Sequence, residues 1–358
     1  MSTPNDPPES ERPSGRDATP HKRRVRYKGT HPKRFEERYK ELAGDPDEVA
    51  HVLAKGRTPA GQHVPIMVDE ILAVLAPEPG MRAVDCTLGF GGHAQRLLER
   101  ITPGGTLLGL DADPLQLPRA EARLRKLGYD ESAFVAKRSN FAGFLGAIME
   151  QGWHEGVDLV LADLGVSSMQ IDDPARGFTY GADGPLDMRM NPARGLSAAQ
   201  WLERASLEKL EQALRENADE PYVGEIADEL DARRGHLSTT KQLAEAVRHA
   251  LADVRDTNEV DRSVRRVFQA LRIEVNDEFG VLETLLRDLP YGLKPGGHVA
   301  ILSFHSGEDR RVKKAFQAGE RSGVYAAVAP DVIRAGTQER FDNPRSKPAK
   351  LRWARRAG

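Results

Sequence analysis

Short apolar segments in this chain alternate with stretches whose apolar residues recur at helical spacing. This alternation constrains the fold more than any other feature of the sequence. Segments 83–87, 106–110, 134–136 and 157–162 are apolar and strand-like, and stretches with apolar residues at helical spacing separate them. Strands of this kind belong to parallel sheets that helices cover on both faces. The pattern therefore predicts a doubly wound α/β fold.

The alternation stops after Leu164. Residues 165–195 are rich in Asp, Gly and Pro, and residues 197–255 show helical spacing only. A loop of that length inside a compact domain usually has a function. We therefore expect the sheet to be interrupted by a functional loop and a group of helices.

Strand and helix patterns return beyond this region. One long helix is predicted across 264–289, and a strand is predicted at 299–304. We therefore assign residues 59–171 and 263–358 to the sheet domain, and residues 172–262 to an inserted all-helical domain.

The two ends of the chain are basic, although its net charge is −2. Residues 21–40 hold nine Lys or Arg and two Glu, and residues 340–358 hold seven Lys or Arg and one Asp. Such ends indicate an anionic partner such as nucleic acid, or, for the N-terminal run, a solvated tail. Six of the 23 prolines lie in the first 33 residues. We predict that residues 1–58 form a disordered, basic extension.

The last basic stretch supports two interpretations. The stretch either binds RNA or forms an edge strand whose charged side chains protect it from aggregation. Its basic residues, which surround Trp353, are Arg345, Lys347, Lys350, Arg352, Arg355 and Arg356.

Composition excludes several classes of protein. No apolar run approaches the ~18 residues of a membrane span, and no signal segment precedes the first helix. The one cysteine, Cys86, excludes a disulfide framework, and His63 and His305 lack the spacing of metal ligands. We therefore expect a soluble, cytoplasmic protein without a metal.

Unusual residues follow three predicted strands, where ligands bind in doubly wound sheets. Gly89 and Gly91 open the turn after the first strand, Asp111 ends the second, and Asp163 ends the fourth. A carboxylate at the position of Asp111 is suited to ribose hydroxyls. The glycine pattern alone fits NAD, S-adenosylmethionine or a tight turn without a ligand. Asp163 and the Pro-Gly-Gly turn at 295–297 favour the methyl donor.

Longer motifs add a resemblance to a known family. The chain resembles the RsmH/MraW family over residues 62–353, and the motifs that carry the resemblance are HVPIMVDEIL (63–72), DCTLGFGGH (85–93), LDADP (110–114), DLGVSSMQIDD (163–173), RGFTY (176–180), DGPLDMRMNP (183–192), FQALRIEVNDE (268–278) and LKPGGHVAILSFHSGEDRRVK (293–313). The resemblance implies a Rossmann-like class I methyltransferase sheet with an inserted helical domain. It also implies transfer of a methyl group from S-adenosylmethionine to N4 of a cytidine, cytosine 1402 in standard numbering, in the decoding region of 16S rRNA within the small ribosomal subunit.

The resemblance further implies a set of cofactor-binding residues. Gly91, Gly92 and His93 resemble the loop that holds the methionine part, and Asp111 resembles the ribose ligand. The remaining cofactor contacts that the resemblance implies are Phe141 beside the adenine, Asp163 and Gln170.

Each of these residues also has a structural interpretation. His93 could simply begin a helix, Phe141 could fill a core with Phe144, and Gln170 could be an ordinary loop residue. The sequence departs from the family pattern at Met169, where proline is expected, and at Gly307, where leucine is expected.

The hypothesis for catalysis is that Asp163 or nearby backbone carbonyls accept hydrogen bonds from the two protons of the cytidine amine, and that bulk water takes the proton that is released. Alternatives are a methyltransferase of the same fold that acts on another nucleic acid or on protein, a non-catalytic regulator that binds nucleic acid, and a nicotinamide dehydrogenase.

Overall fold

A computed structural model describes residues 65–358. Its sheet has seven strands in the order β3-β2-β1-β4-β5-β7-β6, and the first five run parallel. The strands are β1 Arg82–Asp85, β2 Thr106–Asp111, β3 Phe134–Arg138, β4 Val157–Asp163, β5 Leu293–Ser303, β6 Tyr325–Val328 and β7 Lys350–Arg356. The predicted α/β class is confirmed.

Helices lie on both faces of the sheet and also form a separate group. The helices of the sheet part are α1 Val68–Leu75, α2 Gly92–Ile101, α3 Leu117–Lys126, α4 Phe144–Glu150, α5 Ser168–Asp172, α11 Glu278–Gly292, α12 Ser306–Arg321 and α13 Thr337–Asp342. The helices between them are α6 Ala198–Arg204, α7 Leu207–Ala218, α8 Val223–Ala232, α9 Thr240–Ala250 and α10 Thr257–Asn276.

Alternate residues of each central strand enter different cores. Ala83 and Leu107 pack with α1, α2 and α3, whereas their neighbours Val84 and Leu108 pack with α4, α11 and α12. Successive side chains of a strand point to opposite faces, so a strand between two helical layers is apolar throughout. This accounts for the continuous apolar runs that mark the central strands in the sequence.

The intervening helices have a hydrophobic core of their own. Side chains of α6 to α10 pack around Leu214, Ile226 and Leu243, and the loop before them contributes Leu186 and Met188. The domain boundaries remain a prediction, but the proposed division at 262/263 falls inside α10.

The prediction of one continuous helix across 264–289 is wrong. Asp277, which has a left-handed backbone (φ 49°), separates α10 from α11. Val264, Val267 and Leu271 on α10 belong to the helical core, whereas Leu282 on α11 packs against the sheet. The helical periodicity continues through the break and therefore conceals it.

The interpretation of the last basic stretch as an edge strand is wrong, because β7 lies between β5 and β6. Several of its charges have partners within the protein. Arg352 and Lys350 form ion pairs with Asp309, and Arg345 binds Asp172. The guanidinium of Arg356 donates to backbone carbonyls of Pro290 and Val324.

No helix in the described part of the chain is long and apolar enough to cross a membrane. The predicted extension at 1–58 and His63 lie outside the described residues.

Candidate active site

A cavity of about 860 Å³ opens at the carboxyl ends of β1, β2, β4 and β5. Six of the seven predicted cofactor-binding residues line it: Gly92, His93, Asp111, Phe141, Asp163 and Gln170. The parallel register places these strand ends at one edge of the sheet. Residues that are far apart in the sequence therefore share one cavity, as ligand sites of doubly wound sheets do.

The glycine turn after β1 shapes the cavity wall. Gly91 is the N-cap of α2 with φ 80°, and its N–H donates to the carbonyl of Leu88. A Cβ at Gly91 would press on Leu124, away from the cavity lining, whereas a Cβ at Gly92 would lie 3.3 Å from Pro65. Gly91 therefore forms the turn, and the lack of a side chain at Gly92 lets the start of α2 approach Pro65 closely.

Asp111 is held by the backbone on both carboxylate oxygens. Its Oδ2 accepts the N–H of Gly89 and its Oδ1 accepts the N–H of Asp113, both at 2.7 Å. Burial raises its pKa to about 6, although these two N–H groups act to lower it. The side chain is therefore fixed and mainly ionised at neutral pH.

Asp163 is held much less firmly. Its Oδ1 is buried without a hydrogen-bond partner, and its Oδ2 lies 3.5 Å from Nδ1 of His93. Burial and the nearby charge of Glu308 raise the pKa of Asp163 to about 7. A carboxylate with a free lone pair and this pKa is suited to accept a proton near neutral pH.

His93 lies between Asp163 and the segment before α1. Its Nε2 is 2.9 Å from the carbonyl oxygen of Ile66, which fixes the ring in place. Burial lowers its pKa, so the ring is neutral at pH 7. His93 also lies in the first turn of α2 and lines the cavity, so its helical position is observed and its contact with a cofactor stays a prediction.

Phe141 and Gln170 also have both a structural and a cavity-facing position. Phe141 lies in a short 3₁₀ turn, packs against the core beside α4 and lines the cavity. Gln170 completes a capping box with Ser167 at the start of α5, and its amide donates to Asp113 Oδ2 at 2.8 Å.

A buried ion pair behind the cavity was not predicted from the sequence. Asp113 is fully buried, and its Oδ2 accepts from Nη1 of Arg176 at 2.7 Å. Nη2 of Arg176 donates to the carbonyls of Arg189 and Met190. The motifs LDADP and RGFTY contain both residues, but nothing in their spacing indicates that they meet.

A second group of charged residues at the cavity was also missed. Arg272 forms two hydrogen bonds with the carboxylate of Glu278, and Nε2 of His305 lies 3.2 Å from Oε1 of Glu308. Burial acts to raise the pKa of Glu308, but His305, Arg272 and the N–H of Phe304 lower it overall. Both ring nitrogens of His305 are buried without a hydrogen bond.

Three of these side chains have the composition of a metal site. Possible ligand atoms of Glu278, His305 and Glu308 all lie within 4.8 Å of one another. Arg272 already occupies both oxygens of Glu278, and its positive charge opposes the binding of a cation there. The group fits an ion-pair network better than a metal centre.

Of the two departures from the family pattern, Met169 lies at the cavity and Gly307 lies beside His305, which lines it. Met169 is buried and lines the cavity. A Cβ at Gly307 would lie 2.6 Å from the ring of Phe279 and 3.2 Å from Nδ1 of His305. The Phe279 ring therefore fills space that a leucine side chain at position 307 would need.

The cavity suits an adenosyl ligand on physical grounds. Its volume lies within the ~300–1,000 Å³ of small-molecule sites. Asp111 provides a fixed carboxylate for hydroxyls, Phe141 provides an aromatic wall, and Asp163 has an oxygen without a partner. A model of the MraW methylase family matches residues 60–357.

The chain belongs to the MraW methylase family. It is therefore an S-adenosylmethionine-dependent methyltransferase.

Curated relatives resemble this MraW methylase over nearly their whole length. Ribosomal RNA small subunit methyltransferase H 2 of Alkaliphilus metalliredigens is 49% identical, over 94% of this chain and 97% of the relative. Ribosomal RNA small subunit methyltransferase H 1 of Agathobacter rectalis is 46% identical, over 94% of this chain and 98% of the relative. A solved O-methyltransferase of Thermotoga maritima shares 13% identity, covers 87% of this chain and 72% of its own, and has a TM-score of 0.37, which supports no inference about function.

Proposed function

We propose that this protein methylates N4 of a cytidine in the decoding region of 16S rRNA, within the small ribosomal subunit. Family membership supports a methyl transfer, and the names of the relatives support small-subunit rRNA as the substrate. The observation that carries the proposal is the pairing of a fixed carboxylate, Asp111, with an unsatisfied one, Asp163, in one cavity.

The half of the cavity around Asp111, whose carboxylate is held by two backbone N–H groups, would bind the cofactor. Asp111 accepts hydrogen bonds from the ribose hydroxyls, and Phe141 packs against the adenine. The turn at Gly91 and Gly92, with His93, holds the methionine part. Gln170 keeps α5 against this half through its bond to Asp113.

The half of the cavity around Asp163, whose Oδ1 has no hydrogen-bond partner, would receive the base. S-Adenosylmethionine supplies a methyl carbon that is already electrophilic, so the protein has to aim the amine. Positioning of this kind contributes about 7–11 kcal/mol in well-oriented systems. A base within structured RNA also has to be unstacked, which costs a few kcal/mol.

Asp163 accepts a hydrogen bond from the cytidine amine and then its proton. Bound S-adenosylmethionine would supply the methyl group and leave as S-adenosylhomocysteine, and Asp163 would accept the proton that N4 gives up. Its pKa of about 7 matches this role, because general bases work best when their pKa lies near the working pH.

Transfer of a radiolabelled methyl group tests the proposal. Purified small subunits, free 16S rRNA, DNA and a protein mixture are each incubated with the enzyme and labelled S-adenosylmethionine. We expect the label to appear in small subunits. Mass spectrometry should locate it at one cytidine, and digestion should release it as N4-methylcytidine.

Other distributions of label would contradict particular parts of the proposal. Label in free 16S rRNA but not in small subunits would overturn the assembled substrate only. Label in DNA or protein would overturn the RNA substrate, and a bound cofactor without any transfer would indicate a regulator.

A further inference from the structure

The side chains of Asp113 and Arg176 connect two walls of the cavity, although neither residue lines it. Asp113 is fully buried and Arg176 is 9% exposed. The free energy of desolvation on burying an ion pair can exceed the attraction between its charges, so such a pair is weak evidence for stability. The hydrogen bonds of the Asp113–Arg176 pair show which parts of the molecule the pair holds in position.

On one side, the pair is attached to the proposed ribose site. The N–H of Asp113 donates to Oδ1 of Asp111 at 2.7 Å, so Asp113 cannot move without moving that carboxylate. Asp113 also binds Gln170 through Oδ2 and the N–H of Leu115 through Oδ1. Both carboxylate oxygens of Asp113 are therefore engaged.

On the other side, the pair is attached to the loop that faces the proposed base pocket. Nη2 of Arg176 donates to the carbonyls of Arg189 and Met190 at 3.0 and 2.9 Å. Met190 lines the cavity, and its N–H donates to Asn276 at the end of α10. The neighbouring Met188 has a left-handed backbone (φ 61°), a conformation that persists only where the surroundings impose it.

The loop is packed too closely to move independently of Arg176. A Cβ at Gly177 would lie 2.4 Å from the carbonyl oxygen of Pro185, and a Cβ at Gly184 would lie 1.9 Å from that of Pro174. The N–H of Met188 also donates to the backbone carbonyl of Arg176. Residues 174–190 therefore move together with the guanidinium of Arg176.

We propose that the Asp113–Arg176 pair is a positioning device that couples binding at the ribose site to the shape of the base pocket. A ligand that binds Asp111 further stabilises the Asp113–Arg176 pair in the arrangement seen here, and Arg176 transmits this stabilisation to residues 188–190. The two ligands, an adenosyl cofactor and an RNA nucleotide, then bind with positive coupling. The inference rests on the proposed function, since it assumes that both ligands share this cavity.

Calorimetry on the full chain measures the coupling directly. The dissociation constant of S-adenosylhomocysteine is determined alone and with a saturating RNA fragment of the decoding region, and that of the RNA is determined with and without S-adenosylhomocysteine. We expect each ligand to tighten the other by the same factor, within the range of about 5- to 150-fold that is usual for coupled sites.

The Arg176→Lys variant keeps the charge but loses the fork that reaches Asp113 and two carbonyls together. We expect both ligands to bind it singly within about threefold of the parent, with a coupling factor near 1. Arg215→Lys is the control, because Arg215 pairs with Glu211 on the exposed surface of α7 and does not line the cavity. It should retain the parent coupling.

Two binding results would overturn the inference. One is independent binding of the two ligands to the parent protein, and the other is unchanged coupling in Arg176→Lys. Amide hydrogen exchange of the parent protein provides a measurement that needs no variant. S-Adenosylhomocysteine alone should slow exchange at 186–190, and unchanged exchange there would be a third result that overturns the inference. Failure of the proposed function differs from all three results, because RNA would then not bind at all or would not be methylated.

Discussion

Asp111 and Asp163 occupy equivalent positions at the ends of two strands of one sheet, yet the protein treats them in opposite ways. Two backbone N–H groups hold the oxygens of Asp111, whereas Oδ1 of Asp163 is buried without a partner. A buried polar group without a hydrogen bond costs about 1–3 kcal/mol. The comparison indicates that one half of the cavity is organised before any ligand arrives and that the other half is completed by its ligand.

The replacement of Asp163 by Asn should have the largest effect. Asn keeps the shape of the side chain but cannot take a proton, and a general base typically contributes about 10²- to 10⁴-fold to a rate. We expect single-turnover methyl transfer to slow by that factor while S-adenosylhomocysteine binds nearly as before. Asp158→Asn is the control, because Asp158 lies at the other end of β4 and pairs with Lys294. Full turnover by Asp163→Asn would remove the proton-accepting role.

Asp111→Asn should affect binding rather than the reaction itself. Hydrogen bonds to charged groups contribute about 1.5–3 kcal/mol, so we expect cofactor affinity to fall about 10- to 100-fold. The rate at saturating cofactor should change little. Titration calorimetry and single-turnover rates separate the two quantities, and Asp130→Asn on an exposed loop serves as the control. A large loss of rate with unchanged affinity would reverse the roles assigned to the two carboxylates.

The rate should depend on pH in a way that identifies Asp163. Only the ionised carboxylate accepts a proton, so kcat/KM for the free enzyme should fall about tenfold per pH unit below its pKa of about 7 and level off above it. The decline should steepen below pH 6, because the pKa of Asp111 is about 6 and its protonation weakens the proposed binding of the cofactor. The residual activity of Asp163→Asn should lack the step near pH 7. An unchanged step would assign it to another group.

The smallest predicted effect concerns Glu308, whose charge helps to raise the pKa of Asp163. Glu308→Gln removes that charge and keeps an oxygen for the N–H of Phe304. We expect the midpoint of the pH profile to move below 7 by less than about one unit. Glu283→Gln, an exposed residue that pairs with Arg311, should leave the midpoint unchanged. A midpoint that moves upward would contradict the electrostatic account of Asp163.

The sequence predicts the fold best where one local pattern decides the structure. The central strands are apolar on both sides, and their ends carry Asp111 and Asp163, so the α/β class and the location of the cavity follow from the sequence. The break at Asp277 was missed because helical periodicity continues across it. A strand at the last basic stretch was one of two interpretations, but it was expected at an edge of the sheet, whereas β7 lies between β5 and β6.

The partners within the site are harder to predict, because they depend on long-range packing. Arg176 lies 63 residues from Asp113, and Arg272 approaches Glu278 only because the chain bends between α10 and α11. The roles of the individual cofactor-binding residues remain predictions.

The position of β7 has a consequence for the order of synthesis. β7 pairs with β5 on one side and with β6 on the other, but it follows both in the chain. While the protein is being made, these two strands leave the ribosome before the strand that joins them. Each then has an unpaired edge that is open to other chains until β7 arrives. A chain in which β7 has not yet formed therefore exposes two strand edges at which other chains can pair.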